Sequence, residues 1–376
     1  MSQLNRRKFI QSIGVLTAAL PLGASAFDFV PSKGNGFSFV LLGDLHYDKP
    51  EHHDMGYVQK RYPNDIVQIE NYSRITKENY PLLMNVVKEK SSATNADFLL
   101  QLGDFVEGLC GSEILAQQQT TEFIASIKAL NLNRPFFVVK GNHDITGEGA
   151  REIYRKTVLP WQGTELNKTL STANATFVHK KTRFIIFDCY TANESLEWLK
   201  GVLAETREKT VFFCVHQPIV PYNARSNWHV FAKSSEQQKR NELLNLLGKH
   251  HAIVLTGHLH KTSIVKRATS EGAFMQLAIG SVISSPDAKI KDHIAGIENY
   301  QPDLVNLEPN FNPASLQERR SNLEQEKPHI NHFEYADFCG YSTVAVGARG
   351  NVLVSIYANI DQEPWKVIDV TAILKG

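Results

Sequence analysis

The chain has 376 residues, of which 42% are hydrophobic and 21% are charged. This composition is typical of a globular protein and excludes collagen-like, disordered and disulfide-scaffold chains. Lys and Arg number 40 against 39 Asp and Glu, which gives a formal net charge of +1. A net charge so near zero argues against the broad basic surface that binds nucleic-acid polymers, so no such partner is expected. A chain of this length needs no metal ion merely to complete its core.

The first 26 residues have the three parts of a signal peptide. Arg6-Arg7-Lys8 precedes a modest apolar run from Ile13 to Leu22, and Ala24-Ser25-Ala26 supplies a small-residue cleavage site. The run is shorter than the roughly 20 residues that cross a bilayer, so no membrane span is expected. Arg6-Arg7-Lys8-Phe9-Ile10 resembles a twin-arginine signal, although ordinary secretion stays open. We therefore expect recognition by the export machinery, a periplasmic or extracellular location, and one mature domain at residues 27–376.

Short apolar runs alternate with helix-like stretches along the first two thirds of the mature chain. The runs typical of buried strands are Phe37–Leu42, Phe98–Leu102, Phe136–Val139, Arg183–Phe187, Val211–Val215 and Ala252–Thr256. The helix-like stretches, with apolar residues three and four apart, include Asn79–Lys90, Glu113–Leu130, Ser195–Glu208 and Gln237–Gly248. This alternation predicts an α/β fold in which helices cover the faces of a sheet.

The last third of the chain is less regular. Ser284–Lys327 is polar and mixes prolines with charges, so we expect a long irregular surface or cap insertion at residues 284–327, with weak helical periodicity near Pro313–Gln325. Tyr341–Val346 and Val352–Tyr357 flank the turn residues Arg349-Gly350-Asn351 and predict a closing hairpin.

Chemically distinctive residues follow five of the six apolar runs. The motifs are Gly43-Asp44-Leu45-His46, Gly103-Asp104, Gly141-Asn142-His143-Asp144, His216 and Gly257-His258-Leu259-His260. Because ligands bind outside the carboxyl ends of the strands in open α/β sheets, we expect these side chains to converge.

The motif residues include two Asp carboxylates, one Asn carbonyl and four His nitrogens that suit a metal centre. This donor set favours Mn, Fe or Zn, whereas calcium would require more oxygen ligands. Seven ligands exceed one tetrahedral site, so the set predicts two metal ions about 3.5–4 Å apart that share a carboxylate. The candidate ligands are Asp44, His46, Asp104, Asn142, His216, His258 and His260.

In this order, the five motifs resemble those of the calcineurin-like metallophosphoesterase family over residues 37–260. The resemblance implies a four-layer αββα sandwich, two sheets between helices, with a metal pair at the strand ends. It assigns Asp44, His46 and His260 to one ion. Asn142, His216 and His258 are assigned to the other, with Asp104 as the bridge. It also implies that His143 protonates the leaving oxygen and that Asp144 orients or charges this imidazole.

The resemblance implies a metal-dependent phosphoric ester hydrolase. We expect a small phosphomonoester or phosphodiester, hydrolysed by direct in-line attack of a hydroxide that bridges two divalent or mixed-valence ions. Two alternatives stay open: an exported nucleotidase whose base stacks on Tyr222 and Trp228, and an idle metal- or phosphate-binding protein on the same scaffold. The loops Tyr47–Arg61 and Tyr222–Phe231 are long enough to overhang the site. Glu107 replaces the Tyr ligand of the purple acid phosphatase subclass, so no iron–phenolate bond is expected.

Other reactive side chains are expected to be structural. The four cysteines are too widely spaced for a metal-binding Cys-x-x-Cys pair. Cys189 and Cys214 lie in or beside apolar runs, which favours buried small hydrophobic residues over a disulfide bridge. Asp188 follows an apolar run without a partner motif and is expected to be a hydrogen-bonded residue at a strand end. Nine more histidines are expected mainly on the surface: His52, His53, His179, His229, His250, His251, His293, His329 and His332.

Overall fold

The computed structural model describes residues 36–311 and 314–376, so the predicted leader at residues 1–26 lies outside the described residues. Within them, fourteen strands form two sheets. The strands are β1 (Phe37–Leu42), β2 (Phe98–Gln101), β3 (Phe136–Val138), β4 (Ala175–His179), β5 (Thr182–Phe187), β6 (Thr210–Val215), β7 (Ile253–Thr256), β8 (Thr262–Thr269), β9 (Gly272–Ala278), β10 (Lys291–Ala295), β11 (Ile330–Asp337), β12 (Gly340–Val346), β13 (Val352–Ala358) and β14 (Lys366–Asp369).

Ten α-helices connect these strands within the same described ranges. They are α1 (Met55–Arg61), α2 (Ile66–Glu78), α3 (Tyr80–Ala93), α4 (Glu113–Ala129), α5 (Ala150–Ile153), α6 (Leu159–Leu166), α7 (Ala192–Glu205), α8 (Gln237–Lys249), α9 (Leu316–Glu326) and α10 (Val370–Lys375). Among the described residues, every helix is too short or too polar to span a membrane.

The two sheets face each other across an apolar interior. The first sheet has the order β14-β13-β12-β1-β2-β3, and the second has the order β10-β11-β8-β9-β7-β6-β5-β4. Strands β1 and β6 are buried along their whole length, which explains why their sequences are continuous apolar runs. Between the sheets, the ring of Phe39 stacks on Phe98 at 4.9 Å and meets the edge of Phe212 at 5.4 Å.

Helices cover the outer face of each sheet. Leu83 of α3 and Phe123 of α4 belong to the core cluster on the outer side of the six-stranded sheet. Leu199 of α7 and Leu243 of α8 belong to the corresponding cluster on the eight-stranded sheet. The order of layers is therefore helix, sheet, sheet, helix, which confirms the predicted four-layer αββα sandwich.

The segment at residues 284–327 contains regular elements inside its irregular path. It contributes the edge strand β10, which pairs antiparallel with β11, and the helix α9. The side chains of Tyr300, Val305 and Leu323 are fully buried in the core of the eight-stranded sheet. The sequence did not predict β10, because this edge strand is mostly exposed and lacks the apolar face by which strands are recognised.

Candidate metal centre

The carboxyl ends of five strands meet at one edge of the sandwich and bring the five motifs together. Strands β1, β2 and β3 come from the first sheet, and β6 and β7 from the second. The expected ligands form two groups, and a third group of His46, Asp104 and His143 shares one residue with each of them. In the first, atoms of Asp44, His46 and His260 lie within 4.8 Å of one another. The Nε2 atoms of His46 and His260 are 2.9 Å apart, and Nε2 of His260 is 3.5 Å from Oδ1 of Asp44.

The second group contains Asp104, His216 and His258, whose ligand atoms also lie within 4.8 Å of one another. Nε2 of His216 is 3.1 Å from Nδ1 of His258 and 3.3 Å from Oδ1 of Asn142. The Tyr190 hydroxyl donates a hydrogen bond to the same Asn142 oxygen at 3.2 Å. All members assigned to the second ion therefore lie side by side.

Asp104 lies between the two groups. Its Oδ2 is 3.1 Å from Nε2 of His216 in the second group and 3.9 Å from Nε2 of His46 in the first. This position fits the bridging role that the resemblance implies. The converging nitrogens and carboxylate oxygens contain no thiolate, and this donor set fits a pair of Mn, Fe or Zn ions.

The backbone at this edge adopts costly conformations. His46, Asp104, His258 and His260 have φ of 44°, 53°, 76° and 53°, the left-handed region that most residues avoid. Strained residues of this kind cluster at functional sites, where surrounding structure holds them in place. Gly141 allows a close approach, because a Cβ atom there would lie 2.1 Å from the backbone nitrogen of Asp104.

Hydrogen bonds fix which nitrogen each imidazole presents to the centre. Nδ1 of His216 donates to the carbonyl of Leu102 at 2.8 Å, and Nδ1 of His46 donates to Oε2 of Glu107 at 2.6 Å. In both rings, Nε2 is thereby the nitrogen that faces the centre. Burial would lower the pKa of His216, but the charges of Asp104 and Asp44 outweigh burial and raise it to about 9, so a metal ion would have to displace the Nε2 proton of this ring.

Burial and neighbouring charges shift the protonation of the centre. Burial and the nearby histidines hold the pKa of His46 and of His258 well below the ordinary value, which keeps both rings neutral as ligands must be. Burial would raise the pKa of Asp104, but His216 and His143 outweigh it and hold this pKa well below its ordinary range. Asp104 is consequently a carboxylate.

His143 lies next to the candidate ligands and carries a proton. Burial would lower its pKa, but the charges of Glu107 and Asp104 outweigh burial and raise the pKa to about 9. Nδ1 of His143 donates to the backbone carbonyl of Glu107 at 2.7 Å and lies 3.3 Å from the Glu107 carboxylate. Glu107 thus holds and charges this ring.

Asp144 is one of the charges that raise the pKa of His143, after Glu107 and Asp104, and backbone groups hold it in place. Its carboxylate accepts hydrogen bonds from the backbone N–H groups of Gly141, Asp104, Phe105 and Val106, at 2.7 to 3.3 Å. These bonds tie the loop after β2 to the loop after β3. Asp144 therefore orients the backbone around His143, while hydrogen bonding to the imidazole is left to Glu107.

Helix α2 contributes to the site, which the sequence did not predict. Gln68 donates to Oε1 of Glu107 at 2.9 Å, and Tyr72 stacks on His46 with ring centroids 4.2 Å apart. Neither residue belongs to a motif, and α2 begins after the loop that was expected to overhang the centre. Within that loop, His52 and His53 are buried, contrary to expectation, and bond to the carboxylates of Glu122 and Asp48.

A cavity of about 320 Å³ opens over the centre. The loop Tyr222–Phe231 contributes Arg225 and Trp228 to its wall. Tyr222 does not reach the cavity, because its side chain is fully buried in the core of the eight-stranded sheet. The pair Tyr222 and Trp228 therefore cannot form the base clamp considered for a nucleotidase.

Two structural expectations outside the motifs are confirmed. The four cysteines are free, with Cys110, Cys189 and Cys214 buried and Cys339 partly buried. Asp188 is a strand-end residue whose carboxylate accepts from the backbone N–H of Tyr190 at 3.0 Å and pairs with Lys140.

Sequence comparison decides the family. The family model for calcineurin-like phosphoesterases matches residues 37–262, which is more than half of the chain. The chain belongs to this family. No curated protein matches the sequence.

Solved structures show the same fold at low sequence identity. A dimetal phosphatase from Danio rerio is 12% identical with a TM-score of 0.50, over 89% of this chain and 99% of that one. Purple acid phosphatase PPD1 from yellow lupin (Lupinus luteus) is 12% identical with a TM-score of 0.51, over 92% of this chain and 56% of that one. At such identities the likeness extends to the fold alone. Membership of the family supports a phosphoric ester hydrolase.

Proposed function

We propose that the protein is an exported, dinuclear-metal-dependent phosphoesterase that hydrolyses a small phosphomonoester or phosphodiester. The observation that carries this proposal is the convergence of the seven predicted ligands in two adjoining groups, with Asp104 between them. Protonated His143 lies beside them in the wall of the same cavity. A protein that only bound metal or phosphate would not require such a proton donor, so this residue favours an enzyme over the alternative.

Each metal ion would have its own set of ligands. Asp44, His46 and His260 would hold one ion, and Asn142, His216 and His258 the other, with Asp104 shared. When bound, such a pair supplies a nucleophilic water and neutralises charge on the phosphoryl oxygens.

His143 is the group that can donate a proton to the leaving oxygen. Because Nδ1 is engaged with Glu107, Nε2 is the nitrogen left to face a substrate. General acid help of this kind is typically worth about 10²- to 10⁴-fold in rate. The contribution should be greatest for esters whose leaving group is a poor one.

The test is hydrolysis of aryl phosphate monoesters and diesters by protein loaded with Mn, Fe or Zn. We expect the Asp104→Asn variant to lose at least 10²-fold in kcat, because it removes the charge shared by both metal groups. His179→Asn is the matched control, since it removes an imidazole paired with Asp97 at 2.6 Å, before β2 at the opposite edge of the sheet. Equal rates for Asp104→Asn and the wild type would overturn the dinuclear mechanism.

Export is the second part of the proposal and rests on residues 1–26. The test is the location of the full chain in a bacterial host, measured by fractionation. We expect periplasmic protein from the wild type and cytoplasmic retention when Arg6 and Arg7 are both changed to Lys. Equal periplasmic amounts from both forms would favour ordinary secretion, and cytoplasmic wild-type protein would refute export.

A further inference from the structure

Arg225 in the cavity wall is held by the segment at residues 284–327. Nε of Arg225 donates to Oε2 of Glu308 at 2.7 Å. The guanidinium carbon lies 5.1 Å from the ring centroid of Phe311 and 5.6 Å from that of Trp228. Cation–π contacts and the ion pair together fix the guanidinium in one place.

A buried arginine locks this arrangement. Arg319 of α9 is 1% exposed, and its Nη1 donates to the carbonyls of Ala224 and Glu308, both at 3.1 Å. In return, the hydroxyl of Ser226 donates to the backbone carbonyl of Arg319 at 2.6 Å. The residues on both sides of Arg225 are therefore tied directly to the 284–327 segment.

The outer end of Arg225 has unused hydrogen-bonding capacity. A guanidinium has five N–H donors. Among the described residues only the Nε–H of Arg225 has a side-chain or backbone acceptor, so the four Nη hydrogens have none. The side chain is 29% exposed and lines the cavity, where it is the one Lys or Arg in the described wall. Such a fork suits bidentate binding of an oxyanion.

Trp228 contacts both Arg225 and the candidate centre. Its ring centroid lies 5.6 Å from the guanidinium carbon of Arg225 and 5.2 Å from the ring of the candidate ligand His258. The guanidinium itself contacts Glu308, Phe311 and Trp228, so its link to the candidate ligands runs through the indole. Arg225 is placed for a different part of the substrate.

We propose that Arg225 binds a second oxyanion, a carboxylate or a phosphate on the leaving group, while the scissile phosphoryl group occupies the metal centre. Trp228 would contact the part of the leaving group that joins the two. This inference rests on the proposed function and narrows its substrate class to phosphoesters that carry a second anionic group besides the scissile phosphoryl group. Glu308 acts as a positioning residue, because it reaches the substrate only through Arg225.

The experiment compares esters with and without a second anionic group. The carboxylate pair is 4-carboxyphenyl phosphate against 4-carbamoylphenyl phosphate, and the phosphate pair is 1,3-propanediol bisphosphate against 3-hydroxypropyl phosphate. For each pair, kcat/KM is measured for the ester that carries the second anionic group and for the ester that lacks it. The ratio of the first value to the second is then compared between proteins. In one of the two pairs, the wild type should have a kcat/KM about 10- to 100-fold higher for the ester with the second anionic group. This is the usual contribution of hydrogen bonds to a charged group.

The variants identify the residue responsible. Arg225→Gln should lower that ratio at least tenfold, mainly through KM, and Arg225→Lys should restore part of it. Glu308→Gln should produce a smaller loss in the same direction. Arg320→Gln is the control, because Arg320 lies on α9 but pairs with the exposed Asp303 at 2.6 Å. It should keep the wild-type ratio.

The outcomes separate this inference from the function on which it rests. Hydrolysis of all four esters with ratios near one, or a ratio unchanged in Arg225→Gln, would overturn the role of Arg225 and leave the phosphoesterase intact. No hydrolysis of any ester by the metal-loaded wild type would overturn both. The pair that responds to Arg225→Gln identifies the second oxyanion as a carboxylate or a phosphate.

Discussion

Glu107 is the residue that connects the candidate metal ligand His46 with the proposed proton donor His143. Its carboxylate, fully buried, accepts from Nδ1 of His46 and lies 3.3 Å from Nδ1 of His143. Burial raises the pKa of Glu107 to about 8. One side chain thus orients two imidazoles with different tasks. The sequence placed Glu107 only as the residue that replaces a tyrosine, because its contacts depend on how the loop after β2 folds back.

The change Glu107→Gln tests this connection. The amide keeps the shape but has one acceptor oxygen in place of two, so it cannot accept from both His46 and Gln68, and loss of such a partner typically costs about 10- to 100-fold in metal affinity or activity. We expect a lower metal content by elemental analysis and a lower kcat. Glu70→Gln on the exposed side of α2 is the control. Full metal content together with the wild-type rate in Glu107→Gln would contradict the role assigned to Glu107.

Gly141 offers a second test at the level of single residues. A methyl group at this position would lie 2.1 Å from both the backbone nitrogen and Oδ1 of Asp104, so the Asp104 carboxylate must move. We expect Gly141→Ala to lower the free energy of unfolding by about 1–3 kcal/mol, the usual cost of overpacking, and to reduce metal binding. Denaturant unfolding and elemental analysis measure the two effects.

The control for Gly141→Ala is a second glycine-to-alanine change that is expected to raise the free energy of unfolding. Gly201 lies in the exposed face of α7, where an added Cβ would meet no atom within 4 Å. Alanine is favoured over glycine in a helix by about 1 kcal/mol, so Gly201→Ala should stabilise the protein. If both variants change the free energy of unfolding by the same amount, the close approach of Gly141 to Asp104 does not destabilise Gly141→Ala.

At the scale of elements, α9 is anchored to the body by a buried ion triad. Glu326 accepts from Nη2 of Arg240 on α8 at 2.6 Å and from Nε of Arg267 on β8 at 2.5 Å. Burial would raise the pKa of Glu326, but the two guanidinium groups outweigh it and lower the pKa to about 2. The triad therefore fixes the helix that carries Arg319.

Glu326→Gln leaves two buried guanidinium groups without their counter-ion. We expect a loss of about 3–5 kcal/mol in the free energy of unfolding at pH 7, the usual cost of breaking a buried pair. The exposed Glu324→Gln on the same helix should stay within about 0.5 kcal/mol of the wild type.

The pH dependence of this loss has a definite sign. Because the pKa of Glu326 is about 2 in the folded protein and near the ordinary value of about 4.3 in the unfolded chain, the unfolded state takes up the proton first as the pH falls. The stabilisation is complete above about pH 4.3 and is lost toward pH 2. The difference between the wild type and Glu326→Gln should shrink over this range in denaturant titrations, and a constant difference would contradict the triad.

The elements that the sequence predicted are those whose pattern comes from burial. Strand β1 has the predicted bounds, and β6 begins one residue before the predicted run, because strands buried on both faces require apolar residues at every position. β10 was missed because an exposed edge strand imposes no such pattern. Helix α2 was missed because its contacts with the site, through Gln68 and Tyr72, are set by packing and leave no local motif.

At the scale of the whole molecule, the candidate metal centre draws its residues from both sheets. Strands of the first sheet supply Asp44, His46, Asp104 and Asn142 as candidate ligands, and strands of the second supply His216, His258 and His260. Two metal ions bound to both sets would connect the layers at one edge of the sandwich. A ligand that binds the folded state alone stabilises it by about 4 kcal/mol at a thousand times its dissociation constant.

Metal should therefore raise the temperature of unfolding of the entire domain. We expect the Tm of chelator-treated protein to rise by several degrees when Mn, Fe or Zn is added, measured by calorimetry at one scan rate. Asp104→Asn should lose most of this rise, because its carboxylate is adjacent to ligands from both sheets, and His179→Asn should keep it. This readout needs no substrate, so it tests the metal centre separately from hydrolysis. Equal Tm values with and without metal in the wild type would show that the converging ligands do not join the two sheets through an ion.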